Sequence, residues 1–265
     1  MRIALAIAGS DPTGGAGLQL DLQVFRSLGV HGAGVVTALT VQDTAKVHQV
    51  LPVFPSVVLN QMRRLLEDFV PDAIKIGMLA SDDVLRSVAL GLETVETRGQ
   101  ALPPIVIDPV LVASDGEPLL ERRAWGSLEG LMARAALVTP NLPEAEALTG
   151  VDVSDDAGVE TAARFFVEQL GAGAVLVKGG HRKGSPDDLL ARPGPGGTTL
   201  EWLRGDRIDA GRVHGTGCAL SSAITAGLAL GDDLPRAVAR GREFVAAALS
   251  RAESAGQGAR LLVFP

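Results

Sequence analysis

Along this chain, short unbroken aliphatic runs alternate with stretches in which apolar positions return every three or four residues. Ile3 to Ala8 reads as a buried strand, and Leu18, Leu22, Phe25 and Leu28 follow near helical spacing. Gly34 to Thr40 predicts a second strand. Val58, Met62, Leu65, Leu66 and Phe69 then mark one face of a helix that Pro55 can open. Ala73 to Ile76 is another buried strand. Ser81-Asp82-Asp83 has the composition of a helix start, with Val84, Leu85, Val88, Leu92 and Val95 on one stripe behind it. Ile105 to Ile107, Leu137 to Thr139 and Ala174 to Val177 repeat the strand theme, each preceded by a helical stretch and each ending in a polar turn with Gly or Pro. Strands and helices in strict alternation need crossover connections, so the expected fold is α/β, with a mostly parallel central sheet and helices on both faces.

Arg182 to Gly211, rich in Gly and Pro around Pro193-Gly194-Pro195-Gly196-Gly197, departs from this pattern and predicts a hairpin with loops. Two long helical patterns, about Cys218 to Leu230 and Pro235 to Glu253, follow it. No Ser/Gly linker, internal repeat or shift of composition divides the chain, which predicts a single domain over residues 1–265. In such sheets ligands bind beyond the carboxyl ends of the strands.

Composition narrows the function classes. Hydrophobic residues at 46% and charged residues at 21% are those of a packed globular protein. A formal charge of −7 with no Lys/Arg run supplies no basic stripe for phosphate backbones, and no Tyr, two Trp and seven Phe leave little aromatic surface for stacking bases, so nucleic acid is not an expected partner. The single cysteine, Cys218, rules out an intramolecular disulfide and any multi-cysteine zinc site. Met1 to Ser10 has some likeness to a signal peptide, but its apolar run is short and meets Asp11, which favours a first strand and a cytoplasmic location. No segment has the uninterrupted apolar length of a membrane span.

The most informative segment is Gly211-Arg212-Val213-His214-Gly215-Thr216-Gly217-Cys218, running directly into the apolar helical pattern. Glycines let backbone approach a phosphate, and free N–H groups at a helix start, reinforced by the helix dipole, attract anions. An ordinary Gly-rich helix start is the plainer alternative. Neither a P-loop nor a Gly-x-Gly-x-x-Gly fingerprint is present, and Gly-x-Ser-x-Gly and His-Glu-x-x-His are also absent. In Thr139-Pro140-Asn141-Leu142-Pro143-Glu144, Asn141 and Glu144 stand three apart, so their polar ends can share a site able to hold hydrated Mg²⁺. A helix N-terminus with a favourable acid explains them equally well. Lys178-Gly179-Gly180-His181 ends a strand where its lysine can meet a phosphate or be solvated. Asp108-Pro109-Val110 offers an acid for a metal or a turn-forming pair. Ala8-Gly9-Ser10-Asp11-Pro12-Thr13-Gly14-Gly15-Ala16-Gly17 joins the first strand to the first helix, with Asp21 beyond it. Gln42 and Met78 lie at the ends of two strands. A glutamine suits the donor and acceptor pattern of a heterocycle and a methionine its face, although ordinary loop and core positions would also carry them.

Together, in chain order, Ala8-Gly9-Ser10-Asp11 with Gly14-Gly15-Ala16-Gly17, Gln42-Asp43-Thr44, Lys75-Ile76-Gly77-Met78, Asp108-Pro109-Val110, Thr139-Pro140-Asn141, Lys178-Gly179-Gly180-His181 and His214-Gly215-Thr216-Gly217-Cys218 resemble the hydroxymethylpyrimidine/phosphomethylpyrimidine kinases of thiamine biosynthesis, within the ribokinase-like superfamily. The resemblance spans the whole chain. It implies a ribokinase-like homodimer that uses ATP with Mg²⁺ to phosphorylate 4-amino-5-hydroxymethyl-2-methylpyrimidine and then its monophosphate, giving the diphosphate. It further implies that Asp21, Gln42 and Met78 contact the pyrimidine. Asp108, Asn141, Glu144 and Lys178 would serve ATP, with Asp108 and Glu144 holding Mg²⁺ partly through water. Gly215, Thr216 and Gly217 would form the anion hole, with Cys218 as catalytic base where much of the superfamily has aspartate. A thiol at a helix N-terminus is expected to have a lowered pKa.

Asp43 in place of the commoner asparagine, Ala219 in place of threonine, and Arg212-Val213 in place of Asn-Thr depart from the family pattern. The tail Ala255 to Pro265 lacks the expected Gly-Pro ending and receives no role. Two other functions fit the same residues: a pyridoxal-type kinase of this branch, and a non-catalytic sensor that binds the pyrimidine. A sugar kinase would want aspartate at position 218.

Overall fold

The computed structural model describes residues 1–113, 116–180, 182 and 184–264; His181 of the lysine motif and Pro265 of the tail lie outside them. The described strands are β1 (Ile3–Ser10), β2 (His31–Gln42), β3 (Val47–Pro52), β4 (Ala73–Ile76), β5 (Ile105–Ile107), β6 (Leu137–Val138), β7 (Val175–Val177), β8 (Asp188–Gly194) and β9 (Gly197–Leu203). They form one sheet in the order β3-β2-β1-β4-β5-β6-β7-β8-β9. From β2 to β7 all neighbours are parallel, while β3 and the β8–β9 hairpin run antiparallel at the two edges. The mostly parallel sheet and the Gly/Pro-rich hairpin expected from the sequence are both present.

Alternation along β1 decides which helices cover which face. Leu5 and Ile7 point into a core shared with α2 (Pro55–Asp68), α3 (Asp82–Glu96), α4 (Trp125–Met132), α5 (Leu142–Thr149) and α6 (Asp156–Glu168). The intervening Ala4, Ala6 and Ala8 face α1 (Gly17–Ser27) and α7 (Thr216–Ala229). Alanines on that face let these two helices lie close to the sheet. α7 is buried nearly all round, with Ala219, Ser221, Ser222, Ala223, Ala226 and Gly227 among its covered residues, because α8 (Leu234–Leu249) packs on its outer side. The chain leaves β1 towards β2 on one side and returns to β4 on the other. The reversal opens a crevice at the carboxyl ends of β1 and β4, and the amino ends of α1 and α7 point into this region.

β3 was not visible in the sequence. As an edge strand it buries little, and Pro52 ends it. Its turn from β2 is held by Asp43, whose Oδ1 accepts from the amides of Ala45 and Lys46 at 2.8 and 3.0 Å. The tail also does more than the sequence suggested. Ala259 and Gly258 donate to the carbonyl and hydroxyl of Thr44, Arg260 brackets Val213, and Phe264 stacks on Phe244 at 5.2 Å. It ties the β2–β3 turn to the approach of α7.

Candidate active site

The two glycine loops interlock. Gly215, the residue before α7, has φ 77°, and a Cβ there would stand 1.9 Å from the carbonyl oxygen of Gly15. Gly17, which opens α1 at φ 59°, would place a Cβ 2.4 Å from Gly9 O. Only glycine permits both the left-handed backbone and the close approach. No side chain caps α7, so its first amides stay available at the wall of a cavity of about 670 Å³ that Gly215, Thr216, Gly217 and Cys218 help line. Directly over Gly217 stand Lys178 Nζ and Asp108 Oδ2, 3.1 and 3.4 Å from where its Cβ would be. A helix N-terminus, a lysine and a carboxylate therefore converge on one point.

Cys218 is half-buried at this wall. The helix-end argument predicts a lowered pKa, but burial pushes the thiol up to about 11. Lys75 and the Gly17 backbone act in the opposite direction, while Asp21 and Asp108 add to the rise. Desolvation dominates because the Cys218 side chain packs against the apolar cluster that holds Leu20 and Val24 of α1. The thiol is protonated at neutral pH.

Asp108 follows β5 and Lys178 follows β7, the two joined by an Nζ–Oδ1 bond of 2.8 Å; Thr139 Oγ1 adds a bond of 3.3 Å to the same oxygen. Burial works against charge on Lys178, yet Asp108 and Glu144 raise its proton affinity and keep it cationic. Asn141 and Glu144 form a reciprocal capping box on α5: Asn141 Oδ1 accepts from Glu144 N at 2.9 Å, and Glu144 Oε2 accepts from Asn141 N at 2.8 Å. The plainer of the two sequence explanations thus holds for their mutual bonds, while both residues still line the cavity. Burial, with Asp108 nearby, raises the pKa of Glu144, and Lys178 opposes this.

Also lining the cavity are Gln42 at the end of β2 and Met78 just past β4, with Met78 O accepting from Thr37 Oγ1 at 2.6 Å. Asp21 is not brought to the cavity. It is fully buried beneath it, its two oxygens 2.9 and 2.8 Å from Lys75 Nζ, with Ser222 Oγ donating to it at 2.7 Å. From α1 it meets β4 through Lys75 and α7 through Ser222. Burial opposes charge on both partners, yet the two-pronged bond holds Lys75 protonated well above its usual range.

Lys75 lines the cavity and was not singled out in the sequence, although a lysine within a buried strand always needs a partner. Asp11 and His214 were quoted only as parts of motifs; they meet at 3.0 Å beside Gln42. Val110 sits at φ 33°, a conformation β-branched residues seldom adopt, at the same wall. The cavity also extends between Arg204 to Ile208 and the α8 residues Ala239, Glu243, Ala246 and Leu249. Arg242 pins that loop through Asp188 Oδ2 at 2.8 Å and the carbonyls of Leu203 and Arg204 at 2.9 and 2.8 Å. Nothing in the local sequence marks this slot, which exists only once the hairpin folds against α8. Among the described residues no group of three or more His, Cys, Asp or Glu could hold a metal, and no helix is long and apolar enough to cross a membrane.

Residues 11–262 match the family model described as phosphomethylpyrimidine kinase. A hydroxymethylpyrimidine/phosphomethylpyrimidine kinase of Rhizobium meliloti (strain 1021) is 43% identical over 260 residues, 97% of this chain and 94% of the relative. The solved ADP complex of Bacillus subtilis pyridoxal kinase superposes with a TM-score of 0.87 at 32% identity, covering 100% of this chain and 97% of that one. The phosphomethylpyrimidine kinase of Clostridium difficile 630 gives 0.79 at 33%, covering 94% and 100%.

Proposed function

The chain belongs to the phosphomethylpyrimidine kinase family, with its ribokinase-like fold, and from that premise we propose that it transfers a phosphoryl group from ATP to hydroxymethylpyrimidine and then to the monophosphate, the pyrimidine branch of thiamine biosynthesis. One observation carries this: the uncapped start of α7, with Lys178 and Asp108 over Gly217, shares a cavity with Gln42 and Met78. The transferring group in such reactions passes through a loose transition state, so positioning and charge neutralisation do most of the work. The amides of Gly215, Thr216 and Gly217 and the ammonium of Lys178 neutralise the migrating phosphoryl group, while Gln42 and Met78 hold the ring. The thiolate form of Cys218, the minor form at neutral pH, takes the proton of the attacking hydroxyl and becomes the thiol. Asn141 borders the phosphates, and the slot between Arg204–Ile208 and α8 receives the base. Asp21 acts on the site from beneath, by holding Lys75.

Mg²⁺ would accompany the nucleotide. A hydrated ion needs only one or two carboxylates besides phosphates, and the donor set fits: Asp108 Oδ2 faces Gly217 while Oδ1 is taken by Lys178, and Glu144 stands behind it for contact through water. When bound, the ion would neutralise phosphate charge. The chain acts as one domain and as a homodimer. Leu39, Val41 and Leu51 on the β2–β3 hairpin, with Phe54 at 79% exposure, form the apolar face that a second copy would cover. Sedimentation returning a monomer mass would remove the dimer.

A pyridoxal-type kinase is the second reading, favoured by the Bacillus subtilis superposition. A coupled ADP-release assay under saturating Mg-ATP, comparing hydroxymethylpyrimidine, its monophosphate and pyridoxal, separates them. The two pyrimidines are expected to turn over well above pyridoxal. Strong preference for pyridoxal overturns the substrate, and ligand binding without ADP release from any of the three leaves a sensor.

A further inference from the structure

Gln42, His214 and Asp11 come from three distant parts of the chain and meet at one wall of the cavity. The Gln42 amide lies 2.8 Å from His214 Nε2, and the same ring nitrogen lies 3.0 Å from Asp11 Oδ2. Asp11 is itself fixed: it is 3% exposed, its carboxylate accepts from Thr13 N and Thr13 Oγ1, both at 2.9 Å, and its own N–H donates to Gln19 Oε1 at 3.0 Å. The histidine is equally constrained. Its backbone N–H donates to Arg260 O at 2.9 Å, and its ring edge lies so close to Gly15 that a Cβ there would be 2.9 Å from Cδ2.

This arrangement permits one assignment of hydrogens. An ionised carboxylate only accepts, so His214 Nε2 must carry the proton. Gln42 must then turn its amide oxygen, not its NH₂, towards that N–H. A half-turn of the amide puts the NH₂ beside Thr40 Oγ1, 3.4 Å from the amide. That hydroxyl can accept, because its own proton is given to Ser10 O at 2.9 Å. One N–H of Gln42 is left for a ligand.

We infer that Asp11 and His214 are positioning residues that lock the Gln42 amide with an N–H towards the cavity, so that this wall presents a donor to a ring-nitrogen acceptor. The inference deepens the proposed kinase reading and rests on Gln42 contacting the heterocycle. Asp11 and His214 act only through Gln42. The anchoring of His214 by Arg260 also gives the tail a place in substrate recognition.

A double-mutant cycle read by the KM for hydroxymethylpyrimidine tests it. Gln42→Ala and His214→Leu are each expected to raise that KM several-fold to about tenfold, the worth of one hydrogen bond. His214→Leu should add nothing in the Gln42→Ala background, and the KM for ATP should stay unchanged in all three proteins. His214→Gln, which restores an N–H donor, should recover most of the loss. Asp11→Asn frees the ring to adopt its other tautomer and should reproduce His214→Leu, which keeps the test valid if the leucine variant folds poorly. Additive effects of Gln42→Ala and His214→Leu, or a rise in the KM for ATP, overturn the positioning role while leaving Gln42 on the ring. An unchanged KM in Gln42→Ala removes Gln42 from the ring, and the inference with it.

Discussion

Two side chains, half-buried Cys218 and fully buried Lys75, are the ones that local sequence rules misjudge. The thiol, pushed up to about 11, gains thiolate roughly tenfold for each pH unit by which pH rises towards that value. If Cys218 is the base, kcat/KM should climb between about pH 7 and 10. Cys218→Asp should flatten that limb, because a carboxylate is ionised throughout, and Cys218→Ala should lose about 10²-fold or more in turnover with little change in ATP affinity. A flat wild-type profile that matches Cys218→Ala would end the catalytic assignment. Lys75 and Asp21 form a pair with 0% side-chain exposure, so Lys75→Met should cost roughly 3–5 kcal/mol by stranding a carboxylate. Chemical denaturation of Lys75→Met with Asp21→Asn should recover much of that loss, since both charges are then gone. Equal destabilisation of the single and double variants would mean that packing, not charge, holds this position. The motif around Lys75 was visible in the sequence; its partner, 54 residues away, was not, because two distant side chains meet only after the chain folds.

At the scale of elements, the joint between the loop before α1 and the start of α7 makes the site. Gly215→Ala faces both a left-handed backbone and the carbonyl of Gly15, and should lower activity at least about 100-fold. Gly29 supplies the control. It has φ 76° but nothing within 4 Å of a Cβ, so Gly29→Ala should cost only about 1–2 kcal/mol and leave kcat/KM unchanged. Steady-state kinetics beside thermal melts decide this, and similar activity losses in both variants would show strain alone at work. The elements themselves were largely legible: Ala73 to Ile76, Ile105 to Ile107 and the Pro55 helix start fall where their patterns put them. Those with a buried face announce themselves by periodicity, whereas β3 at the sheet edge, with mostly exposed side chains, carries no such signal.

At the scale of the whole molecule, the parallel order from β2 to β7 gathers Gln42, Met78, Asp108, Asn141 and Lys178 at the carboxyl ends of successive strands, and α7 brings Cys218 to meet them. Order along the chain was enough to suggest that convergence. It could not show Asp21 turned beneath the site, the capping bonds of Asn141 with Glu144, or the slot against α8, which are products of tertiary packing. The central claim is that α7 begins at the point of phosphoryl transfer. A crystal structure with a non-hydrolysable ATP analogue and hydroxymethylpyrimidine tests it most directly. The terminal phosphate should lie within hydrogen-bond reach, about 3 Å, of the Gly217 or Cys218 amide and on the Lys178 side, with the hydroxymethyl group beside Sγ. A terminal phosphate bound away from the α7 start, with the pyrimidine remote from Cys218, would contradict the account.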